Sequence, residues 1–355
     1  MTALSYLIQA APSIRGQNRT AHPVQWLSGM NDTARPAAST TVPTLAALQE
    51  FTYGVELETI GLTRLQLATL VAGVTGGRVV VRGGGYDKHA VVLPDGREWM
   101  CMTDASLSGG RFGHCGEVVT PIMTYADMPM LQSVCRALAD AGARVDHSCG
   151  VHVHVGADAL DTAALTRLAK LVYQQEPLMV EALGVASQRL GTYCRPVEDS
   201  MIGRLVSRRP ATKQALARAW YNGDESYAQR DHYHGSRYHG LNLHSVFFRG
   251  TVEFRYFEGT LHAGKVKAYV QLCLALAAKA KAGKAAVARK RAFSRQTAKY
   301  DFRVFLLRLG MIGDEFKTAR LHLLARLAGS SSWKNGKPAP APKADAAATA
   351  TAVEV

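Results

Sequence analysis

The sequence lacks the long apolar runs that cross membranes. A transmembrane helix needs about 20 predominantly apolar residues in a row, and no such stretch occurs. The first residues, MTALSYLIQAAPSIRG, have no basic segment ahead of their short apolar stretch, so they do not match a secretory signal peptide. We therefore expect a cytoplasmic protein with no membrane partner.

Cysteine is also scarce. The six cysteines include no CxxC pair and no spacing typical of a disulfide framework. In a chain of 355 residues such cysteines are more often reduced thiols in strands and helices than bridges. A small disulfide-stabilised domain is therefore not expected.

Acidic residues are fewer than basic ones, 28 against 42, which gives a formal net charge of +14. The excess is confined to residues 279–343, where 16 lysines and arginines accompany only three acidic residues. A basic helical segment can contact nucleic acid. Solvated charged faces are commoner, however, so nucleic acid is the less favoured partner.

Composition divides the chain into three parts. Residues 1–45, rich in Ala, Thr, Pro and Ser, are expected to form a loosely ordered leader. Residues 46–328 are long enough for one large folded domain, whose basic helical part begins at about residue 279. The Ala- and Pro-rich residues 329–355 are expected to form a disordered tail.

Five segments of the domain alternate apolar and polar residues, as strands with one buried face do. Their polar positions carry chemically active side chains: Glu56 and Glu58, Glu117, His152 and His154, Asn242 and His244, and Glu253 and Arg255. Amphipathic helical patterns lie between the strands. We therefore predict an α+β fold, in which a curved, mostly antiparallel sheet packs helices on its apolar face and forms a cradle with the other face.

The cradle would hold four carboxylates and several imidazoles. Burying unpaired charges costs several kcal/mol each, and divalent cations would remove that cost. Because carboxylate oxygens outnumber nitrogens, Mg²⁺ or Mn²⁺ is favoured over zinc. Arg255 lies two residues after Glu253, where it could hold a phosphoryl oxygen. The pattern predicts a nucleotide-phosphate site with metal ions.

The alternation also predicts particular elements. Residues 241–244 are predicted as a strand that forms a hairpin with the following one. Residues 162–175 and 177–183 are predicted as two helices. The polar segment 222–239 is predicted as a loop that closes over a ligand.

Six motifs occur in a fixed order along the chain. They are Gly54-Val-Glu56-Leu-Glu58, Asp104-Ala-Ser-Leu107, Glu117-Val-Val-Thr-Pro121, Cys149-Gly-Val-His152-Val-His154, Asn242-Leu243, and Thr251-Val-Glu253-Phe-Arg255 through Gly259-Thr-Leu261. In this order they resemble the amidoligase family of the carboxylate–amine ligase superfamily, which includes glutamine synthetase and glutamate–cysteine ligase. The resemblance covers about residues 50 to 280.

The resemblance implies two metal sites on a glutamine synthetase-like cradle. Glu56 would hold the metal on the ATP phosphates together with His152 and Glu253. Glu58 and Glu117 would bind a second metal near the acceptor carboxylate. A further ligand of that second metal is not identified from the sequence.

The resemblance also implies roles around the nucleotide. His154 would lie close to it, and Arg255 would neutralise the transferred phosphoryl group. Asn242 and Arg237 would contact nucleotide or substrate. The implied catalytic residues are Arg255, Glu253 and Glu58.

The implied reaction is ATP-dependent amide formation with Mg²⁺ or Mn²⁺. A carboxylate attacks the γ-phosphate to give an acyl phosphate, and an amine then displaces phosphate. The substrates would belong to amino acids, peptides or protein side chains. The residues would act mainly by positioning and charge neutralisation.

Two other readings of the sequence remain open. A zinc-dependent hydrolase could use the cluster of His147, Cys149, His152 and His154. A catalytically silent protein could bind nucleic acid through the basic region 279–343. The complete motif set argues against the silent protein, because a binding protein needs no such array of acids.

Overall fold

One sheet of eight strands forms the centre of the computed structural model, which describes residues 42–108, 113–224, 230–231 and 233–337. The strands are β1 (Tyr53–Ile60), β2 (Arg78–Gly83), β3 (Lys88–Val92), β4 (Glu98–Met102), β5 (Cys115–Val119), β6 (Gly150–Gly156), β7 (Leu241–Asn242) and β8 (Thr251–Glu258). Their order across the sheet is β2-β3-β4-β5-β1-β6-β8-β7, and each neighbouring pair is antiparallel. β1 therefore lies in the interior of the sheet, between β5 and β6.

Eleven helices accompany the sheet in the described part of the chain. They are α1 (Leu45–Gln49), α2 (Arg64–Thr75), α3 (Met128–Asp140), α4 (Thr162–Leu183), α5 (Ser187–Gly191), α6 (Asp199–Arg208), α7 (Lys213–Trp220), α8 (His244–Arg249), α9 (Ala263–Ala282), α10 (Ala298–Arg308) and α11 (Lys317–Leu324). The sheet does not close into a barrel. The predicted α+β class with an antiparallel sheet is confirmed.

Helices cover the apolar face of the sheet. α2 packs on β3, β4 and β5, α9 packs on β1 and β6, and α4 packs on β8. The alternating apolar side chains of β1 and β6, such as Val55, Leu57 and Val153, are buried in this layer. Each such side chain contributes about 1.5–3 kcal/mol through removal from water. Hydrophobic burial thus fixes which side chains the opposite face presents.

Local sequence signals set the ends of α2. The Thr63 side chain accepts the Gln66 N–H, and the Gln66 side chain accepts the Thr63 N–H, which together form a capping box. The helix ends at Gly76, whose φ of 69° is in the left-handed region that favours glycine. Both ends of the helix are therefore set by local sequence.

Residues 162–183 form the single helix α4, so the prediction of two helices separated near Pro177 is wrong. Proline lacks an N–H and its ring clashes with the preceding turn, which normally interrupts a helix. Here the residues before and after it, including Tyr173 and Leu178, are buried in one core. Tertiary packing therefore keeps the helix continuous.

The predicted strand over residues 241–244 is shorter than expected. β7 ends at Asn242, and His244 begins helix α8. Asn242 still pairs with Glu253 of β8, as a hairpin would require. His244 does not continue the polar face, and its Nδ1 lies 2.5 Å from the Tyr221 hydroxyl.

Several predictions fall outside the described residues. Of the leader 1–45, only residues 42–45 are described, and Leu45 begins α1. The tail beyond residue 337 and residues 109–112 of the glycine-rich loop are outside as well. Among the described helices, none combines the length and apolar character needed to cross a membrane.

A carboxyl group is buried between the sheet and α4. Glu176 is 2% exposed and accepts hydrogen bonds from the Tyr256 hydroxyl at 2.6 Å and from the Val197 N–H at 3.0 Å. Burial raises the pKa of Glu176 to about 7, although these two hydrogen bonds act in the opposite direction. Since Tyr256 follows Arg255 in β8, this contact anchors the strand that carries Arg255.

We expect Glu176 to make folding stability pH-dependent. Between pH 4.5 and about 7 the folded state retains a proton that the unfolded state has lost, so stability falls as pH rises through this window. The loss is up to about 3 kcal/mol. Glu176→Gln removes this titration. The difference in free energy of unfolding between the unsubstituted protein and the variant should therefore become smaller as the pH rises from 5 to 8. Urea unfolding at several pH values measures it, and a constant difference would contradict the assignment.

Candidate active site

Glu56 lies at the centre of the polar face of the sheet. Its Oε2 is 3.0 Å from His152 Nδ1, and its Oε1 is 3.2 Å from His154 Nε2. The pairing of β1 with β6 causes this arrangement, because Glu56 is directly opposite His152 in the register. All three residues are at most 6% exposed. A carboxylate and two imidazoles therefore meet away from bulk water.

Glu253 joins this group from β8, where it is paired with His154 in the register. One of its oxygens accepts a hydrogen bond from the Arg255 guanidinium, and the other accepts one from Asn242 Nδ2 at 2.6 Å. Arg255 Nε also donates to the Tyr193 carbonyl at 3.2 Å. The guanidinium of Arg255 is thus held in one orientation at the centre of the cradle.

A second cluster of acids lies toward the other end of β1. Glu58 pairs with Glu117 of β5 in the register, and Asp104 lies close to both. Glu58 Oε2 accepts the Gly150 N–H at 2.5 Å. Asp104 accepts from the N–H and the hydroxyl of Ser106, both at 2.7 Å. Three carboxyl groups therefore share one small volume.

The two clusters differ in their charge state. Burial raises the pKa of Glu58 to about 8, together with the nearby Asp104 charge. Burial and the charges of Glu56, Asp104 and Glu58 raise the pKa of Glu117 well above its usual range. Burial opposes ionisation of Glu253 too, but the Arg255 charge lowers its pKa to about 2. Burial also opposes ionisation of Glu56, but the charges of His154 and His152 and the hydrogen bond to His152 hold its pKa well below its usual range.

The side chains form three groups whose ligand atoms lie within 4.8 Å of one another. They are Glu56, His154 and Glu253; Glu56, Glu117 and His152; and Glu58, Asp104 and Glu117. Oxygen donors dominate all three groups, which suits Mg²⁺ or Mn²⁺ better than zinc. The donor chemistry therefore fits the expected metal ions.

The surroundings of His154 give a further test of this fit. Its Nε2 is buried without a hydrogen bond, 3.2 Å from Glu56 Oε1 and 4.0 Å from Glu253 Oε1. Its Nδ1 is 3.1 Å from the Thr251 hydroxyl. When Nδ1 carries the proton and donates to Thr251, Nε2 presents a lone pair between two carboxylates. That is the arrangement of a metal ligand.

A cavity of about 400 Å³ opens beside the second cluster. Glu58, Glu117, Asp104, His152 and Arg255 line one side of it. Tyr86 and Tyr233 also line it, and their hydroxyl oxygens are 2.8 Å apart. The cavity is within the size range of small-molecule sites.

Residues 49–277 match the model of the family described as "Putative amidoligase enzyme". The chain belongs to the amidoligase family. The resemblance inferred from the six motifs is thereby confirmed. A comparison with curated proteins gave no match.

The matched range of the amidoligase family contains all eight strands and every side chain of the two clusters. It ends within α9, so α10 and α11 lie outside it. The family assignment makes the chain a ligase by class. The family match covers the cradle but does not cover the basic helical region.

The structure groups the ligands differently from the sequence analysis in one respect. His152 was predicted with Glu56 and Glu253, whereas the structure places His154 in that group and His152 with Glu56 and Glu117. His152 Nδ1 is still 3.9 Å from Glu253 Oε1. Both imidazoles thus belong to groups that could hold a metal ion, and the role of His154 beside the nucleotide stays a prediction.

The unidentified ligand of the second metal group has a candidate in Asp104. Asp104 was noticed in the sequence only as part of a motif, because its neighbours show no strand alternation. It follows β4 directly, and the pairing of β4 with β5 brings it beside Glu117. Only strand order could reveal this proximity.

Sequence reasoning also missed two arginines. Arg249 ends α8, with a side chain that is 9% exposed and an NH1 that lies 3.7 Å from Glu56 Oε1. Arg189 donates to the carbonyls of Cys149, Arg255 and Phe257 at 3.2–3.3 Å, which ties β6 to β8. Both stand outside the strand pattern, so no periodic signal indicated them.

The remaining candidates are placed as follows. Arg237 lines the cavity, and its guanidinium lies 5.5 Å from the ring centres of Tyr233 and Tyr238. His147 is exposed, and burial raises the pKa of the Cys149 thiol to about 12. In the described residues, neither His147 nor Cys149 belongs to a group of three close ligand atoms. Nothing in the geometry favours the zinc hydrolase.

The charge states predict opposite effects of two substitutions on the protein without metal. Glu117→Gln should raise the thermal unfolding temperature in the presence of a chelator, because it removes a carboxyl whose ionisation its neighbours oppose. Glu253→Gln should lower it, because the substitution leaves the buried Arg255 without its carboxylate partner, at a cost of about 3–5 kcal/mol.

Differential scanning calorimetry with EDTA and with excess Mg²⁺ measures both effects. Mg²⁺ should stabilise the unsubstituted protein more than Glu117→Gln, since ligand binding to the folded state raises its stability. A shift of the same sign for both variants in EDTA would contradict the assigned charge states.

Proposed function

We propose that this amidoligase is an ATP-dependent carboxylate–amine ligase that forms an amide through an acyl phosphate. The observation that carries the proposal is the row of buried carboxylates with Arg255 fixed among them. Such a row is stable only when cations compensate it, and phosphoryl transfer is the chemistry that needs cations and an arginine together. The proposed cofactors are ATP and Mg²⁺ or Mn²⁺, with the cytoplasm as the location.

The site divides into a nucleotide part and an acceptor part. Glu56, Glu253 and His152 would hold the metal on the ATP phosphates, as the family resemblance implies, and the position of His154 between Glu56 and Glu253 adds it to this set. Glu58, Asp104 and Glu117 would hold a second metal beside the acceptor carboxylate, next to the 400 Å³ cavity. Bound metal ions would supply charge neutralisation and orientation of the phosphates.

The reaction proceeds in two displacements. An oxygen of the acceptor carboxylate attacks the γ-phosphorus and the bond to ADP breaks, which gives an acyl phosphate. The nitrogen of an amine then attacks the acyl carbon, phosphate leaves, and the amine loses a proton. Arg255 would compensate the charge on the transferred phosphoryl group, and Glu253 would keep its guanidinium oriented.

Water must stay out of the cavity, because it would hydrolyse the acyl phosphate. The contact of Tyr86 with Tyr233 links the connection between β2 and β3 to the segment predicted as a lid, residues 222–239. Residues 225–229 and 232 of that segment lie outside the described part. The two tyrosines are the described residues that support closure.

Turnover is tested by incubation with ATP, Mg²⁺ and pooled amino acids and peptides, followed by phosphate assay and mass spectrometry of condensed products. We expect phosphate release that depends on the pool. Arg255→Ala should lower kcat by about 10²–10³, the usual effect of removing one group that stabilises transition-state charge. The matched control is Arg208→Ala on the exposed end of α6.

Arg208→Ala should leave turnover unchanged. The proposal fails if no pool gives ATP-dependent condensation, or if Arg255→Ala retains full activity. Tightly bound stoichiometric zinc without ATP dependence would also contradict it.

Arg249 should contribute to nucleotide binding. It precedes β8 at the end of the sheet that carries His154, whereas Arg255 lies toward the acid cluster. A charge-assisted hydrogen bond contributes about 1.5–3 kcal/mol, so Arg249→Met should weaken binding of a non-hydrolysable ATP analogue by about tenfold or more. Arg249→Lys should restore part of the affinity. Calorimetric titration measures both, and unchanged affinity in Arg249→Met would contradict this role.

A further inference from the structure

Helices α10 and α11 leave a groove of about 650 Å³ between them. Four cationic side chains line it: Lys299 and Arg303 of α10, and Lys317 and Arg320 of α11. Its remaining lining residues in the described part of the chain are Thr318, Leu321, Leu324, Ala325 and Ser331, none of which is acidic. The groove is therefore strongly cationic as well as concave.

Two of the three acidic residues of this region, Asp301 and Glu315, are engaged elsewhere. Asp301 is buried and accepts hydrogen bonds from Arg291 and Thr297. Glu315 pairs with Lys267 at 2.8 Å. Among the described residues, no carboxylate lies within ion-pair distance of the four groove cations. Arg320 NH1 donates to the Met311 carbonyl at 2.8 Å, a neutral partner that leaves its charge uncompensated.

The groove also has an apolar component. Leu321 is 67% exposed, and Leu324 lies one helical turn further along α11. A single exposed leucine on a protein surface needs no explanation. Here it lies among four cations in a concave surface, so a ligand that supplies only negative charge would leave it unpaired.

The position of the groove separates it from the candidate active site. α11 packs on α9, and α9 packs on the apolar face of β1 and β6. The carboxylates project from the opposite face of these strands. The groove residues also lie outside the family match, which ends at residue 277. A ligand in the groove would leave the catalytic cavity open.

We propose that this groove binds an acidic, leucine-bearing peptide segment of a partner protein. The carboxylates of the segment pair with Lys299, Arg303, Lys317 and Arg320, and its apolar side chains pack on Leu321 and Leu324. Charge complementarity selects an acidic ligand. Leu321 and Leu324 favour a peptide over nucleic acid. A phosphate backbone would pair with the cations but leave these leucines without apolar contacts. The basic region thereby acts as a docking element of the ligase.

The test measures binding of labelled probes to the full chain by fluorescence anisotropy. Two synthetic peptides of equal length are compared, one alternating Glu with Leu and one alternating Glu with Ser, together with a single-stranded oligonucleotide. We expect the Glu/Leu peptide to bind at least about tenfold more tightly than the other two, with an affinity that falls as salt rises. Leu321→Ser should abolish its advantage over the Glu/Ser peptide.

A pair of double variants with equal change in net charge controls for overall charge. The double variant Arg303→Glu with Lys317→Glu should weaken binding of the Glu/Leu peptide by at least about tenfold, since it reverses two charges within the groove. Lys284→Glu with Lys334→Glu reverses two exposed charges outside the groove and should leave binding unchanged. Circular dichroism and thermal unfolding confirm that all variants are folded.

Three outcomes would overturn the proposal. These are equal affinity for the two peptides, equal weakening by the two double variants, and tighter binding of the oligonucleotide through the same residues. The last would identify the region as a nucleic-acid site. Because none of these measurements involves turnover, the result is independent of the proposed ligase activity.

Discussion

The structure depends on the burial of like charges around Glu56. His152 and His154 hold the pKa of this carboxyl well below its usual range, while burial and nearby carboxylates raise the pKa of Glu117, one strand away. Such an arrangement has no value as a hydrophobic core and costs free energy unless cations enter. Its presence at the centre of the sheet indicates that the fold is organised to receive positive charge.

The sheet makes this possible by separating two chemical environments. Along β8, Tyr256 contacts Glu176 of α4 on the helix side, while Arg255 contacts Glu253 on the cradle side. The helix layer supplies the hydrophobic free energy that holds the strands in register, and the register then brings the charged side chains together. Stability and function are therefore assigned to opposite faces of the same strands.

Strand alternation was enough to predict the charged face, because a period of two places Glu56 with Glu58 and His152 with His154 regardless of the neighbours. It was not enough to predict that Pro177 would lie inside a continuous helix, or that His244 would begin one. Both depend on packing from distant parts of the chain. Arg249 and Arg189 had no periodic signal in the sequence, and Asp104 had only its place in a motif, because all three lie outside the strand alternation and reach the site only through the fold.

The sequence by itself determined the fold class, the family, and the face of each strand that carries the charged residues. Local alternation and motif order contain that information. Tertiary structure alone decided which carboxylates and imidazoles lie close enough to share a cation, that the pKa values of Glu58 and Glu117 are raised while that of Glu253 is lowered, and that a cationic groove lies behind the helix layer. Each of these depends on distances between residues far apart in the chain, and electrostatic interactions and pKa values follow from those distances and from burial.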